Sequence, residues 1–377
     1  MHKFIVPLLL ILTITTFPQV KFNVKVYSHS VLKDENVFII GDDIKLGRWQ
    51  ESMAQKLNRV NDSTFVLLLE FDKPETLQFK FTKGSWANEA LNDDGSLPNN
   101  TTVRLSQDTA LTYTINKWGT QKQRSSFRGK VTGMLKYHPA MQGDSILQRD
   151  VVVWLPPFYD KDKDAKYPVI YAHDGQNLFD PGTASFGIDW QLDETADSLI
   201  RANKIKGVII VGIYCTADRF ADYSYGRKGE AYMNFIIQRL KPFIDSTYRT
   251  LPDRNNTITW GSSMGGLISF MLAWQHSEVF SKAACFSPAF KIDELDYTNY
   301  IKSYRGPKKD IQLYVDNGGI DLDARLLPGI KETVELLDSM GYKTGKDVTF
   351  FIDKEASHNE AAWAKRSYMP LELFLRK

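Results

Sequence analysis

The chain of 377 residues has only two cysteines, Cys215 and Cys285. Neither lies in a Cys-x-x-Cys pattern, so the sequence contains neither a disulfide framework nor a thiol motif for metal or redox chemistry. An excess of charge of one sign is also missing, because 47 basic and 45 acidic residues leave a formal charge of +2. This balance argues against a ligand recognised through massed positive charge, and we expect no nucleic-acid partner.

Long hydrophobic runs are missing as well, since no segment approaches the roughly 20 apolar residues that cross a bilayer. The N-terminus has Lys3, then an apolar run from Phe4 to Leu12, then small polar residues. This pattern is typical of a secretory signal peptide, which we predict at residues 1–18. The protein is therefore expected to be secreted or periplasmic, with no membrane span in the mature chain. An uncleaved anchor is the alternative, because the cleavage region lacks a clear Ala-x-Ala.

The rest of the chain has two regions with different hydrophobicity patterns. Residues 19–118 contain short alternating runs such as "FNVKVYS", "STFVLLLEF" and "TLQFKFTKGSW", which predict a small β-sandwich. The polar stretch at residues 119–127 is a plausible linker. In residues 128–377, apolar runs such as "YPVIYAHD", "GVIIVGIY" and "IQLYVDN" alternate with amphipathic segments of helical length. This alternation predicts an α/β domain with a mostly parallel sheet covered on both faces, and ligands at the carboxyl ends of its strands.

A candidate nucleophile lies at a predicted strand-to-helix turn. The sequence Gly261-Ser-Ser-Met-Gly265 fits the G-x-S-x-G nucleophile elbow, in which a tight turn exposes the serine above the sheet. Glycines two residues before and after the serine allow the backbones to crowd. Ser263 meets this condition, whereas Ser262 has Trp260 two residues before it. The alternative interpretation is a glycine-rich turn without chemistry.

The serine needs a base. In folds with a nucleophile elbow the chain order is serine, then acid, then histidine. Two histidines come after Ser263, and His276 falls within the helix that follows the turn. His358 instead follows the predicted strand "VTFFID" in a loop, and it is the predicted base.

The acid is expected in the loop after "IQLYVDN". Asp316 ends that strand, so we predict Asp321, with Asp323 as the alternative. Its role would be to orient the imidazole and stabilise its protonated form.

An acyl-transfer site also needs donors for the oxyanion. The backbone N–H of Met264, at a helix N-terminus, is the first predicted donor. The second is the N–H of Gln176 in the loop "YAHDGQNLFD", where Gly175 would let the backbone approach the substrate. His173 and Asp174 could form a metal pair, but no third ligand with suitable spacing follows. No metal or cofactor is therefore expected.

Several motifs in correct order resemble one esterase family. "YAHDGQNLFDP", "GEAYMNFIIQRLKPFIDSTYRT", "GSSMGGLISF" and "HNEAAW" are similar to the family that includes the esterase D, feruloyl, acetylxylan and enterochelin esterases. The resemblance covers residues 129–377 and implies an α/β-hydrolase fold with a serine esterase activity. It places the triad on Ser263 and His358, with the acid at Asp321 or Asp323.

The segment "GIYCTADRFADYSY" resembles the substrate-side loop of the same family. It implies that Arg219 and Tyr223 line the substrate pocket, and packing within the loop is the alternative.

The N-terminal region resembles starch-binding carbohydrate-binding modules. "VFIIGDDIKLGRW" is similar to their early strand and Leu-Gly-x-Trp turn, and "FKFTKGSWANEALNDDGSLPNN" to a loop with a sugar-stacking tryptophan. The resemblance implies sugar contacts by Trp86 and Trp118 and a structural role for Trp49. A spacer domain whose tryptophans fill a small core is the alternative.

Together these patterns predict an exported serine esterase that removes acetyl or feruloyl groups from a poly- or oligosaccharide. A siderophore or other small-ester hydrolase is the alternative enzyme. A glycan-binding protein with an inactive hydrolase-like domain is the alternative of another class.

Overall fold

The computed structural model describes residues 19–49, 51–85, 88–93, 98, 100–119 and 131–377. The predicted signal peptide, nearly all of the predicted linker and Trp86 therefore lie outside the described residues. The proposed domain boundaries remain predictions.

The N-terminal part of the chain is a β-sandwich. Its sheets have the strand orders β4-β5-β1-β9, β3-β2-β6-β8 and β10-β7. Among the described residues its strands are β1 (Val20–Tyr27), β2 (Phe38–Gly41), β3 (Gln55–Lys56), β4 (Asn58–Arg59), β5 (Thr64–Phe71), β6 (Glu75–Thr82), β7 (Ala90–Leu91), β8 (Thr101–Leu105), β9 (Thr109–Thr114) and β10 (Lys117–Trp118).

Alternation along β1 explains how this sandwich closes. Val20, Phe22 and Val24 are buried, whereas Lys21 and Asn23 between them are exposed. Because successive side chains of a strand point to opposite faces, one face of β1 enters the core and the other meets water. β1 pairs antiparallel with β5 and parallel with β9, so it is covered at both edges.

The C-terminal part is built on an eight-stranded sheet of order β11-β12-β14-β13-β15-β16-β19-β20. β12 runs antiparallel to both of its neighbours, and the strands from β14 to β20 in that order are parallel. Two short strands form a hairpin outside the sheet. The strands are β11 (Met134–Met141), β12 (Arg149–Leu155), β13 (Val169–His173), β14 (Ile209–Ile213), β15 (Thr257–Ser262), β16 (Lys282–Phe286), β17 (Lys291–Ile292), β18 (Leu295–Asp296), β19 (Gln312–Gly318) and β20 (Val348–Asp353).

Helices follow the strands of this domain. They are α1 (Leu192–Arg201), α2 (Arg219–Asp222), α3 (Arg227–Phe235), α4 (Lys241–Thr247), α5 (Met264–Gln275), α6 (Thr298–Ser303), α7 (Leu322–Ser339), α8 (Glu360–Arg366) and α9 (Tyr368–Leu375). A π-helical segment, Ile236–Leu240, joins α3 to α4. Among the described residues, no helix combines the length and the apolar character that crossing a bilayer requires.

The core lies on both faces of the large sheet. Along β13, Val169 and Tyr171 belong to one apolar cluster, whereas Ile170 and Ala172 belong to another. Every residue of β13 is buried, which is why this strand is a continuous apolar run in the sequence. A mostly parallel sheet with this order and with helices on both faces is an α/β-hydrolase fold, and the prediction of fold class is confirmed.

Candidate active site

The predicted nucleophile lies at a strained turn between β15 and α5. Ser263 has φ 57°, a value that non-glycine residues seldom adopt. A Cβ at Gly261 would come 2.4 Å from the carbonyl oxygen of Gly265, so the turn requires glycine there. The Ser263 N–H donates to Phe286 O at 2.9 Å, and its carbonyl accepts from Ala289 N at 3.0 Å. These bonds on both sides of the residue stabilise the strained conformation.

The predicted base is bonded to a buried carboxylate. His358 Nδ1 lies 2.6 Å from Asp323 Oδ1, and Asp323 is fully buried. The other oxygen, Asp323 Oδ2, accepts from Gly318 N at 2.9 Å and from Ser287 Oγ at 3.1 Å. The imidazole ring also meets the edge of Trp363, with 4.9 Å between ring centroids. With Nδ1 on the carboxylate, Nε2 is the nitrogen that can accept a proton from a nucleophile.

The prediction that Asp321 makes this contact is wrong. Asp321 is exposed and precedes α7, whereas Asp323 lies in the first turn of that helix and contacts the end of β19. The physical reason is the position of the helix start, which turns the chain back toward the sheet after Asp321. One sequence signal fits Asp323: a Cβ at Gly318 would lie 2.2 Å from its Oδ2, so this contact requires glycine.

Residues 286–289, at the carboxyl end of β16, link the serine to Asp323. Phe286 and Ala289 hold the Ser263 backbone, while the Ser287 hydroxyl between them donates to Asp323. Trp363 Nε1 in turn donates to Ser287 Oγ at 3.1 Å. Ser287 cannot be recognised from the sequence, because its position after β16 carries no recognisable motif.

Asp316 has a structural role at the end of β19. Its carboxylate accepts from Arg366 Nε at 2.7 Å and Nη2 at 3.2 Å, and from the Tyr314 hydroxyl at 2.9 Å. Both Asp316 and Arg366 are buried. The pair fixes the end of β19 against α8, the helix that follows the histidine loop.

The two predicted oxyanion donors lie at the ends of neighbouring strands. Met264 is the first residue of α5, where a backbone N–H has no intrahelical acceptor. Gln176 follows β13, and its side chain is fixed because Oε1 accepts from Cys215 N at 3.2 Å. Its carbonyl accepts from Thr183 Oγ1 at 2.7 Å, which fixes the backbone. Their role as oxyanion donors remains a prediction.

Gly175 packs against the neighbouring strand, which differs from the prediction that it lets the backbone approach the substrate. A Cβ there would come 2.4 Å from the carbonyl carbon of Gly212 in β14. Glycine is therefore required by packing against the neighbouring strand rather than by access to a substrate.

The predicted pocket residues separate into one half-buried and one fully buried side chain. Arg219 donates from Nε and Nη2 to the two oxygens of Asp174, each at 2.7 Å, and its side chain is 32% exposed. Tyr223 is fully buried, and its hydroxyl accepts from Asp174 N at 3.2 Å. The prediction that Tyr223 lines the pocket is wrong, because its side chain is fully buried and bonds to the loop that carries Asp174.

A second buried carboxyl group lies near the histidine. Glu360 is the first residue of α8, and Asn177 Nδ2 donates to its Oε1 at 3.3 Å. Burial raises the pKa of Glu360 to about 7, and the charge of His358 acts in the opposite direction. Glu360 therefore connects the histidine loop to the loop after β13, which the motif "HNEAAW" alone did not indicate.

His173 is unsuited to metal binding. Its Nδ1 lies 2.8 Å from the Tyr232 hydroxyl and its Nε2 lies 3.3 Å from Thr259 Oγ1. Burial lowers the pKa of His173 to about 3, so the ring is neutral at physiological pH. Both ring nitrogens have protein partners, and the residue is structural.

Another group of carboxylates lies at the start of α1. Among the described residues, Asp189, Asp193 and Glu194 form the one set of three ligand-type side chains whose ligand atoms lie within 4.8 Å of one another. Burial raises the pKa of Asp193 to about 8 and that of Asp189 to about 6. Asp193 Oδ2 also accepts from Thr132 N at 2.7 Å. At neutral pH the group carries fewer than three negative charges, so proton sharing relieves the repulsion.

The comparisons with known proteins define the class as carboxylic ester hydrolases. Residues 147–366 match the family model described as "Putative esterase". This match spans more than half of the chain, and the chain belongs to that family. Residues 18–114 match a model described as "Starch binding domain".

Two relatives illustrate the extent of the sequence similarity. An endo-1,4-beta-xylanase/feruloyl esterase of Xylanibacter ruminicola is 28% identical over 195 residues, which are 51% of this chain and 25% of that protein. This chain thus matches about a quarter of that relative's length. The uncharacterized protein YbbA of Bacillus subtilis is 22% identical over 242 residues, covering 59% of this chain and 91% of that protein.

Solved structures share the fold. A ferulic acid esterase covers 65% of this chain and 98% of its own, with a TM-score of 0.55 and 20% identity. The enterobactin esterase FES from Shigella flexneri covers 90% of this chain and 88% of its own, with a TM-score of 0.54 and 11% identity. The second similarity therefore extends over both domains.

Proposed function

We propose that this protein is an exported serine esterase that hydrolyses carboxylic esters through an acyl-enzyme and removes acetyl or feruloyl groups from a poly- or oligosaccharide. The observation that carries the proposal is the 2.6 Å contact between His358 Nδ1 and the buried Asp323, in a domain that presents Ser263 at a strained elbow. Such a contact selects the imidazole tautomer that can accept the serine proton.

Ser263 Oγ attacks the ester carbonyl while its proton passes to His358 Nε2. Asp323 stabilises the resulting imidazolium through Nδ1–H. The N–H groups of Met264 and Gln176 hold the negative oxygen of the tetrahedral intermediate. Collapse of this intermediate releases the alcohol, which takes the proton from Nε2, and leaves an acyl-serine. A water molecule then repeats the sequence and releases the acid.

The N-terminal domain supports a glycan substrate. It matches a starch binding domain model, and a relative is named as a xylanase and feruloyl esterase. Trp118 is half-buried: it packs against the core of the β-sandwich and its Nε1 donates to Ser28 Oγ at 3.0 Å, so only part of its side chain would be available to a sugar. Trp86, the other predicted sugar contact, lies outside the described residues. Export rests on the signal-like sequence of residues 1–18.

A small-ester substrate is the second candidate. The similarity to an enterobactin esterase extends over both domains, whereas the ferulic acid esterase aligns with about two thirds of the chain. Hydrolysis of a siderophore or another small ester is therefore the alternative.

The test is hydrolysis of p-nitrophenyl acetate and methyl ferulate by the mature chain, beside Ser263→Ala. We expect Ser263→Ala to lose at least about 10³ of turnover. A fluorophosphonate should label the unmodified chain at Ser263 and leave the variant unlabelled. Activity that survives in Ser263→Ala would contradict the serine mechanism. Absence of both activity and labelling would favour a glycan-binding protein with an inactive domain.

A further inference from the structure

The two domains are joined by a chain of ion pairs. Arg48 of the β-sandwich donates to Glu294 at 2.5 Å and lies 3.5 Å from Asp293, both on the turn between β17 and β18. Arg325, in α7, approaches the same Asp293 at 3.0 Å. Arg48 has only 16% of its side chain exposed, whereas Glu294 is 76% exposed. These ion pairs are therefore surface contacts, and they mark where the two domains meet.

Aromatic contacts add to the same junction. Trp49 meets Phe186 edge-on, with 6.0 Å between ring centroids, and the Lys80 ammonium lies 4.7 Å from the Phe186 centroid. The Arg48 guanidinium lies 5.7 Å from the ring of Phe220. Phe220 lies in α2 directly after Arg219, and Phe186 lies in the segment between β13 and α1 that also carries Gln176. The β-sandwich therefore contacts the catalytic domain on its substrate side.

A cleft of about 410 Å³ lies between the domains beside these contacts. The β-sandwich contributes Asp42, Gln78 and Arg104, and the start of α7 contributes Asp321 and Arg325. The volume falls within the range of about 300–1,000 Å³ typical of small-molecule sites. Asp321 follows the carboxyl end of β19 and Ser263 follows the carboxyl end of β15, so in this parallel part of the sheet the cleft lies at the same edge as Ser263.

The polar groups of the cleft indicate what it would bind. Arg104 and Arg325 supply two guanidinium groups, and Asp42, Glu75 and Asp321 supply three carboxyl groups. No net positive charge results, so a phosphate or another polyanion has no electrostatic advantage. None of the lining residues in the described part of the chain is aromatic or a metal-ligating histidine or cysteine. Carboxylates accept hydrogen bonds from hydroxyls and guanidinium groups donate to their oxygens, which suits an uncharged ligand rich in hydroxyl groups.

The Asp42 carboxylate of the cleft is fixed by a hydrogen bond within the β-sandwich. Asp42 Oδ1 accepts from Gln78 N at 2.9 Å, and the Gln78 side chain is itself bonded, because its Oε1 accepts from Asn100 Nδ2 at 3.2 Å. Burial raises the pKa of Asp42 to about 6, whereas that bond and Arg325 lower it. The Asp42 side chain is therefore mostly ionised at neutral pH and acts as a fixed acceptor.

We propose that this interdomain cleft binds the sugar chain of the ester substrate, an uncharged oligosaccharide, next to the catalytic acid. The inference rests on the proposed function and deepens it, since the cleft would hold the leaving-group side of the ester. It differs from a tryptophan platform on the β-sandwich, because it requires both domains and works through polar contacts.

The experiment is isothermal titration of the full mature chain with xylohexaose and with maltohexaose. Arg104→Ala is the test variant, because Arg104 is exposed and its truncation leaves the core intact. Arg305→Ala is the matched control, since Arg305 is exposed and bonds to nearby carbonyls outside the cleft. We expect Arg104→Ala to bind at least one of the sugars about tenfold or more weakly, and Arg305→Ala to bind both as the unmodified chain does. Equal binding by the two variants would overturn the proposal, as would absence of binding of both sugars up to about 10 mM.

Hydrogen exchange locates the bound sugar in the same samples. Protection is expected at residues 74–78 and 321–326, and protection confined to the region of Trp118 would also overturn the proposal. Hydrolysis of p-nitrophenyl acetate separates this inference from the proposed function. If hydrolysis depends on Ser263 while Arg104→Ala binds normally, the cleft proposal alone fails. If hydrolysis is absent but sugar binding still requires Arg104, the proposed function fails and the cleft remains a glycan site.

Discussion

Replacing Asp323 by Asn tests the assignment of the triad acid. The carboxylate accepts from His358, Gly318 and Ser287, and the last two both donate to Oδ2. An asparagine can keep its single oxygen toward those two donors only by turning its amide N–H₂ toward His358 Nδ1. Nδ1 must then act as an acceptor, which places the ring hydrogen on Nε2. That tautomer cannot take the proton of Ser263.

The expected magnitude follows from this tautomer change. Comparable replacements in other serine hydrolase triads cost about 10⁴ in kcat, so we expect Asp323→Asn to lose about 10³–10⁴ in kcat. The free energy of unfolding should fall by about 1–3 kcal/mol, because a buried hydrogen bond to a charged group is weakened. Asp321→Asn should lose less than about tenfold with an ester that contains no sugar, because Asp321 makes no contact with His358.

The assay is hydrolysis of p-nitrophenyl acetate under saturating substrate, with urea unfolding of the same preparations. Asp338→Asn is the matched control, since Asp338 is an exposed aspartate near the far end of α7. A loss of about 10³ in Asp321→Asn, with near-normal turnover in Asp323→Asn, would refute the assignment.

Three further changes test other parts of the site. Gly261→Ala should destabilise the chain by more than about 2 kcal/mol and impair turnover, because its Cβ would lie 2.4 Å from a backbone oxygen; near-normal unfolding in urea would contradict this. The free energy of unfolding of Glu360→Gln, relative to that of the unmodified chain, should rise by up to about 3 kcal/mol as the pH increases from 4.5 to about 7. The neutral carboxyl of Glu360 stabilises the folded state at low pH, and this contribution is lost as the carboxyl ionises in the folded state. Parallel curves of melting temperature against pH for the two proteins would exclude this contribution. Arg366→Met should destabilise by about 3–5 kcal/mol because it leaves Asp316 buried without its cation, whereas Arg305→Met should change the free energy of unfolding by less than about 0.5 kcal/mol; equal effects would refute this role.

Local patterns predicted much of the fold. The alternation in β1 follows from the two-residue side-chain period of a strand with one buried face, and the continuous apolar run in β13 follows from burial of both faces; both patterns are visible in the sequence. The elbow at Ser263 was predictable for a similar reason, because only glycine allows the close approach of backbones at Gly261. These features depend on neighbours within a few residues.

The triad acid and the pocket residues could not be chosen in this way. Asp321 and Asp323 are two residues apart, and the choice depends on where α7 starts and on contacts with Gly318 and Ser287, which come from other parts of the chain. Tyr223 resembled a pocket residue in sequence but is covered by packing in the tertiary structure.

The sequence by itself therefore determined the two kinds of domain, the strand-to-helix placement of Ser263 and the order of the proposed catalytic groups, because periodicity and glycine sterics act locally. The tertiary structure alone decided which aspartate meets His358 and how the β-sandwich contacts the esterase domain. Both outcomes depend on contacts between residues that are distant in the chain, such as Ser287 with Asp323 and Arg48 with Glu294, and such contacts leave no periodic signal in the sequence.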